Sequence, residues 1–186
     1  SVFWCGDTRA VLCRNGVATQ LSYDHRVSNE KEKQRIKELS GHDVSTGRLD
    51  GDLMVTRAFG DMRHKLGCVE RIAPNTFREL MKIFLTPKPS DPKSLTDTQQ
   101  KQHTDALICN PEYFEDFVKE EDEFIILGSD GLFDVLGNQR AVNVVRNALI
   151  EFKGDIKAVV QHLVETALKL ESSDNVSAIV VALNVH

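Results

Sequence analysis

Short β-prone apolar runs occupy residues 2–5, 10–13 and 17–21, separated by the turn-forming stretches Gly6-Asp7-Thr8 and Arg14-Asn15-Gly16. An Asn-Gly step between two such runs is a strong hairpin signal, because both residues tolerate positive φ. The three runs predict an antiparallel meander. Residues 29–39 predict a short helix. Asn29 can cap it, Glu32 stands at the third helical position where it can close a capping box, and Ile36 and Leu39 supply the apolar face. Gly41 follows as a stop. Residues 44–53 predict a second hairpin, turning near Asp50-Gly51.

From about residue 62 to 109 the composition changes, with Pro74, Pro87, Pro89, Pro92 and a polar run at 96–104. One amphipathic helix is predicted inside this segment, capped by Asn75 and carrying Phe77, Leu80, Met81 and Phe84 at helical spacing. Residues 86–104 read as a long loop, the best candidate for an insertion. Beyond it, 124–127 is an apolar run that predicts a fully buried strand. A helix beginning near Asn138 buries Ala141, Val142, Val145, Ala148, Leu149 and Phe152, and Gly154 breaks it. A second, beginning near Asp155, buries Ile156, Val159, Val160, Leu163, Val164, Ala167 and Leu168. Two helices joined by a short turn should pack antiparallel. Residues 176–183 predict a last buried strand, and no internal repeat is present.

The 186 residues suit one domain, and 41% hydrophobic residues suffice for a sizeable core. A formal charge of −5 argues against a nucleic-acid binder, which needs a basic footprint. No stretch approaches the roughly 20 apolar residues of a membrane span. Cys5, Cys13, Cys68 and Cys109 form no C-x-x-C pair, so thiolate zinc binding is not indicated. They read as buried reduced thiols of an intracellular, cytoplasmic or nuclear, protein. The chain opens on Ser1-Val2-Phe3-Trp4-Cys5, a strand already under way, which reads as a piece of a longer protein.

Chemistry concentrates in CGDTRAVL (5–12), GDLMVTRAFGD (51–61), GSDGLFD (128–134) and SSDNVS (172–177). Asp130 follows a buried strand, with Gly131 permitting a sharp turn; Asp174 precedes another strand; Asp7 lies in a turn between two. If these strands are neighbours, three carboxylates converge at one sheet edge. Convergent carboxylates repel unless a cation neutralises them, and oxygen ligands suit Mg²⁺ or Mn²⁺. Each residue alone has a plainer reading. Asp7, Asp130 and Asp174 are ordinary turn or cap residues, Asp134 a cap, Arg57 an ion-pair arginine and Gly60-Asp61 a turn.

The ordered set carries more than its members. Through CGDTRAVLCRNG, SYDHRVSNEKEKQRI, GRLDGDLMVTRAFGD, NPE, DEFIILGSDGLFDVLGN and SSDNVSAIVV the chain resembles, in register, the metal-dependent serine/threonine protein phosphatases of type 2C. Only about residues 62–109 fall outside the likeness. The resemblance implies an α+β fold, a mainly antiparallel β-sandwich flanked by helix pairs, of which residues 1–186 form the carboxyl-terminal part of the catalytic domain. It implies a binuclear Mg or Mn centre with Asp130 and Asp174 as catalytic metal ligands. Asp7 matches the aspartate of a third, more weakly held metal, which Asp130 also faces. Asp134 is expected to hold metal-bound water. The segment after Asp61 matches a flap that helps choose substrates.

The implied reaction is hydrolysis of phosphoserine and phosphothreonine on proteins, a dephosphorylation serving signalling. Two metals roughly 4 Å apart activate a water, so no protein nucleophile is required. The family's first half also carries an arginine for phosphate, a Glu-Asp pair and a D-G-H-G-G motif, none of which this chain contains. Asp50-Gly51 and Asp130-Gly131 do not continue as H-G-G, and His25 and His42 lie outside that context. The chain thus holds one side of a site. It is expected to be inactive alone and to pair with the missing amino-terminal half. The competing expectation is a pseudophosphatase, or a binding module displaying the 62–109 segment.

Overall fold

The computed structural model describes residues 1–39, 41–65 and 106–183. Asn15 and Gly16 both adopt positive φ (47° and 75°), the requirement of a type I′ turn. They join β2 (Arg9–Arg14) to β3 (Val17–Gln20) in the expected hairpin. The meander stops there. β1 (Val2–Trp4) leaves this sheet at Gly6 (φ 110°) and pairs instead with β4 (Glu112–Phe114) in a separate two-stranded ladder.

The vacated side of β2 takes β5 (Asp122–Gly128), which in turn pairs with β6 (Ala178–Ala182). The result is an all-antiparallel sheet in the order β3-β2-β5-β6. Its register explains the choice, because Val11 lies opposite Ile126 and Cys13 opposite Phe124, so apolar pairs share one face. That face is the core. Val11, Cys13, Phe124, Ile126 and Val180 pack against three helices, α3 (Asp130–Leu136), α4 (Asn138–Glu151) and α5 (Ile156–Lys169).

The helix pair follows the predicted period. Ala141, Val142, Val145 and Ala148 of α4 meet Val159, Leu163 and Ala167 of α5 in one cluster. Lys153 and Gly154 turn the chain with positive φ, and the Asp155 carboxylate caps α5 by accepting from the Lys157 and Ala158 amides. Leu149 and Phe152 are half-buried at the margin, and Leu168, expected inside, faces solvent. β6 also differs from the fully buried strand expected. Only Val180 is buried, while Ile179 (58% exposed) and Val181 (42%) lie on the uncovered face of the sheet. On that face the buried residues are Ala10, Leu12 and Leu21.

A second cluster, Val27, Ile36, Val44, Leu49, Ala106 and Leu107, holds α1 (Glu30–Lys37). Asn29 caps α1 as expected, accepting from the Lys31 amide. Glu32 does not close a capping box; it turns inward and is 2% exposed. Residues 44–53 do not form a hairpin of strands. A single bridge, Leu49 to Leu53, spans the predicted turn at Asp50-Gly51. The Asp50 carboxylate accepts from the Asp43 amide, a local bond that replaces a ladder. A four-residue helix, α2 (Met62–Lys65), follows. Cys13 is buried as expected, but Cys5 is half-buried and Cys109 exposed. The predicted helix after Asn75, the 86–104 loop and Cys68 lie outside the described residues.

Candidate active site

Asp130 is the first residue of α3, not the start of a free turn. Gly131 is there for closeness. A Cβ on it would sit 2.5 Å from the Asn175 carbonyl oxygen. The 172–177 segment is stitched down onto this helix start. The Ser129 amide donates to the Ser177 carbonyl at 3.0 Å, and the Ser177 amide donates to the Ser129 hydroxyl at 3.0 Å. The Ser129 hydroxyl donates to the Asn175 carbonyl (3.1 Å), and the Ser172 hydroxyl to the Gly131 carbonyl (2.7 Å). Pairing of β5 with β6 aligns the two strand ends, and these bonds set Asp174 beside Asp130.

Asp7 reaches the same place through the Gly6 turn. His25 clamps that turn twice, its amide donating to the Gly6 carbonyl (2.9 Å) and its Nδ1 accepting from the Gly6 amide (3.0 Å). Asp134 lies one helical turn after Asp130, on the same face of α3. The Asp130 carboxyl is raised above its ordinary value, first by burial and then by the negative charges of Asp7 and Asp174, with Arg26 and the Gly131 amide opposing. That electrostatic coupling joins three carboxylates from three segments.

Between Asp7, Asp130 and Asp134 stands a residue that sequence reasoning missed. Arg26 Nε donates to Asp7 (2.9 Å), Nη2 to Asp130 (2.9 Å) and Nη1 to Asp134 (3.3 Å). Its one signal is its place in SYDHRVSN, inside a matching stretch, while the acids that its side chain meets all lie in other segments. A guanidinium, and not a divalent ion, neutralises these carboxylates here. Among the described residues no group of three or more His, Cys, Asp or Glu is placed to hold a metal ion. The donor chemistry fits a hard divalent cation, since three carboxylates face one positive charge. The carboxylates are arrayed around the arginine fork and not around a point.

Arg57 keeps its plain reading. It is an ion-pair arginine, with Nη2 at 2.5 Å from Glu32 and 3.1 Å from Glu112. Burial would raise the Glu32 carboxyl, but donors from Arg57, Arg35 and Thr56 outweigh it and hold it at about 2. Gly60 and Asp61 form a turn with positive φ. His42 pairs with Asp50 (2.9 Å), and His25 is fully buried, its Nε2 3.7 Å from the Glu112 carboxylate and without a hydrogen-bond partner among the described residues.

Comparison with known proteins gives the family and the fold. Residues 1–176 match the family model for protein phosphatase 2C. Probable protein phosphatase 2C 13 of Arabidopsis thaliana is 38% identical over 179 residues, 96% of this chain and 38% of that protein. Protein phosphatase 1B of Rattus norvegicus is 34% identical over 178 residues, 95% of this chain and 37% of that protein. A crystal structure of a phosphatase from Toxoplasma gondii superposes with a TM-score of 0.67 at 25% identity, covering 97% of this chain and 46% of that one. A Caenorhabditis elegans sex-determining protein shares the fold, with a TM-score of 0.65 at 21% identity over 98% of this chain and 36% of that one. The chain belongs to the protein phosphatase 2C family. It spans under half the length of these relatives, and its fold is the α+β arrangement the motifs implied.

Proposed function

We propose that residues 1–186 are the carboxyl-terminal part of the catalytic domain of a Mg- or Mn-dependent phosphatase that hydrolyses phosphoserine and phosphothreonine on proteins. The segment at about 62–109 is its insertion. The observation that carries the reading is the seating of Asp174 beside Asp130 through Ser129, Ser172 and Gly131, with Asp7 and Asp174 each coupled to Asp130. A bound divalent metal supplies charge neutralisation at the phosphate and a water activated at neutral pH. Asp130 and Asp174 hold that metal, Asp7 extends the set toward a further ion, and Asp134 positions water at the rim. The rest of the domain supplies the phosphate-facing groups and covers the sheet face that carries Ile179 and Val181.

The test is phosphate release from a phosphothreonine peptide with Mn²⁺, by the protein in its natural length and by residues 1–186 alone. The natural-length protein should turn over, and Asp174→Asn should reduce turnover by about 10²-fold or more. The isolated residues should show no turnover. Turnover unchanged by Asp174→Asn would remove the reading. A second reading, a pseudophosphatase, is favoured by one observation, the guanidinium filling the carboxylate cluster. Absence of turnover in the natural-length protein would select it.

A further inference from the structure

Arg26 occupies the oxygens that a metal would need. Its fork takes Oδ2 of both Asp7 and Asp130, each at 2.9 Å, and these are the two carboxylates assigned to the outer metal. One space cannot hold both cations. The backbone of residue 26 is fixed, its amide donating to the Asp24 carbonyl and the residue bridging Val55, so only the side chain can yield. The third contact differs from the other two. Asp134 is longer at 3.3 Å and its side chain is 51% exposed, against 21% for Asp7 and 30% for Asp130.

We infer that Arg26 is a resident counter-cation that competes with a divalent metal for Asp7 and Asp130, with Asp134 as the outer anchor that retains the guanidinium when the metal enters. This rests on the proposed metal site. The charge balance supports exchange. Asp7, Asp130 and Asp134 carry three negative charges and Arg26 returns one, so the cluster stays net negative and attracts a second cation. Without any cation the three carboxylates would repel one another. The arginine therefore keeps the site assembled in the metal-free protein, and it sets the metal concentration at which the site fills.

The inference is tested by calorimetric titration of Mn²⁺ into the metal-stripped protein in its natural length, comparing wild type, Arg26→Gln, Arg26→Lys and Asp130→Asn. Arg26→Gln should bind Mn²⁺ at its weakest site about tenfold tighter, a gain of about 1.4 kcal/mol. Its metal-free melting temperature should fall, and Mn²⁺ should raise that temperature more than it does for wild type. Lysine offers a compact point charge in place of a rigid fork, so Arg26→Lys should fall between the two. It also serves as the folded variant if the glutamine protein does not fold. Equal or weaker Mn²⁺ binding in whichever variant folds overturns the inference. If Asp130→Asn weakens Mn²⁺ binding while the Arg26 variants do not tighten it, the metal site stands and only the competition fails. If Asp130→Asn changes nothing, both fail.

Discussion

Gly131 and Asn175 approach so closely that residue 131 has no room for a side chain; a Cβ there would meet the Asn175 carbonyl oxygen at 2.5 Å and its carbon at 3.1 Å. The contact is between two backbones, so no rotamer change relieves it. Gly131→Ala should push the 174–175 segment off α3. The expected loss is about 1–3 kcal/mol, the usual range for overpacking. Mn²⁺ binding should weaken with it, because Asp174 moves with its segment. Urea denaturation and calorimetric titration of the same variant read both effects.

Glu32 is a buried charge on α1, bonded to Arg57 Nη2 (2.5 Å), Thr56 Oγ1 (2.7 Å) and Arg35 Nη2 (3.0 Å). Glu32→Gln removes the nearer negative charge and leaves Arg57, only 11% exposed, with the more exposed Glu112 as its remaining carboxylate. Breaking a buried pair on one side costs about 3–5 kcal/mol. The midpoint of chemical denaturation at neutral pH should fall accordingly.

The same carboxylate makes stability depend on acid. Its folded value is about 2, depressed from 4.5. The unfolded chain therefore takes up a proton first, and the stabilisation is complete above about pH 4.5 and lost as pH falls toward 2. The shift corresponds to a contribution on the order of 3 kcal/mol. Denaturation curves between pH 6 and 3 should show a decline in wild type that Glu32→Gln lacks in this component.

Among the described residues no strand pairs with the outer edge of β6, and Ile179 and Val181 stand exposed beside it. An open apolar edge is a template for pairing with another chain. Residues 1–186 on their own should associate in sedimentation experiments at high concentration. Ile179→Lys with Val181→Lys should return them toward monomer. A monomeric wild-type chain at the same concentration would contradict this.

What the sequence made legible was local. Asn15-Gly16 announces the β2–β3 hairpin, because its chemistry is confined to the turn. The α4 and α5 stripes announce themselves through a period sustained over fourteen residues each. Strand partnership was not legible, because Arg9 meets Gly128 and Trp4 meets Glu112 across more than a hundred residues. α3 escaped notice because seven residues are too few to show a period. Asp7, Asp130 and Asp134 were found from their motifs and do meet at one place. Arg26 was not found, since its role exists only where three separate segments come together.

Arg35 and Arg57 bear on how this fold can vary. Arg35 Nη2 donates to the Thr56 and Ala106 carbonyls, Arg57 Nη1 donates to the Asn110 carbonyl, and the backbone joins Thr56 and Ala58 to Ile108. The chain that leaves after residue 58 and the chain that returns at 106 are thus riveted to each other independently of whatever lies between. Doubling the length of such a span adds only about 0.6 kcal/mol of closure entropy. The span can therefore be exchanged as a cassette. A change in the length of that span would leave the carboxylates beyond the rivets in their places.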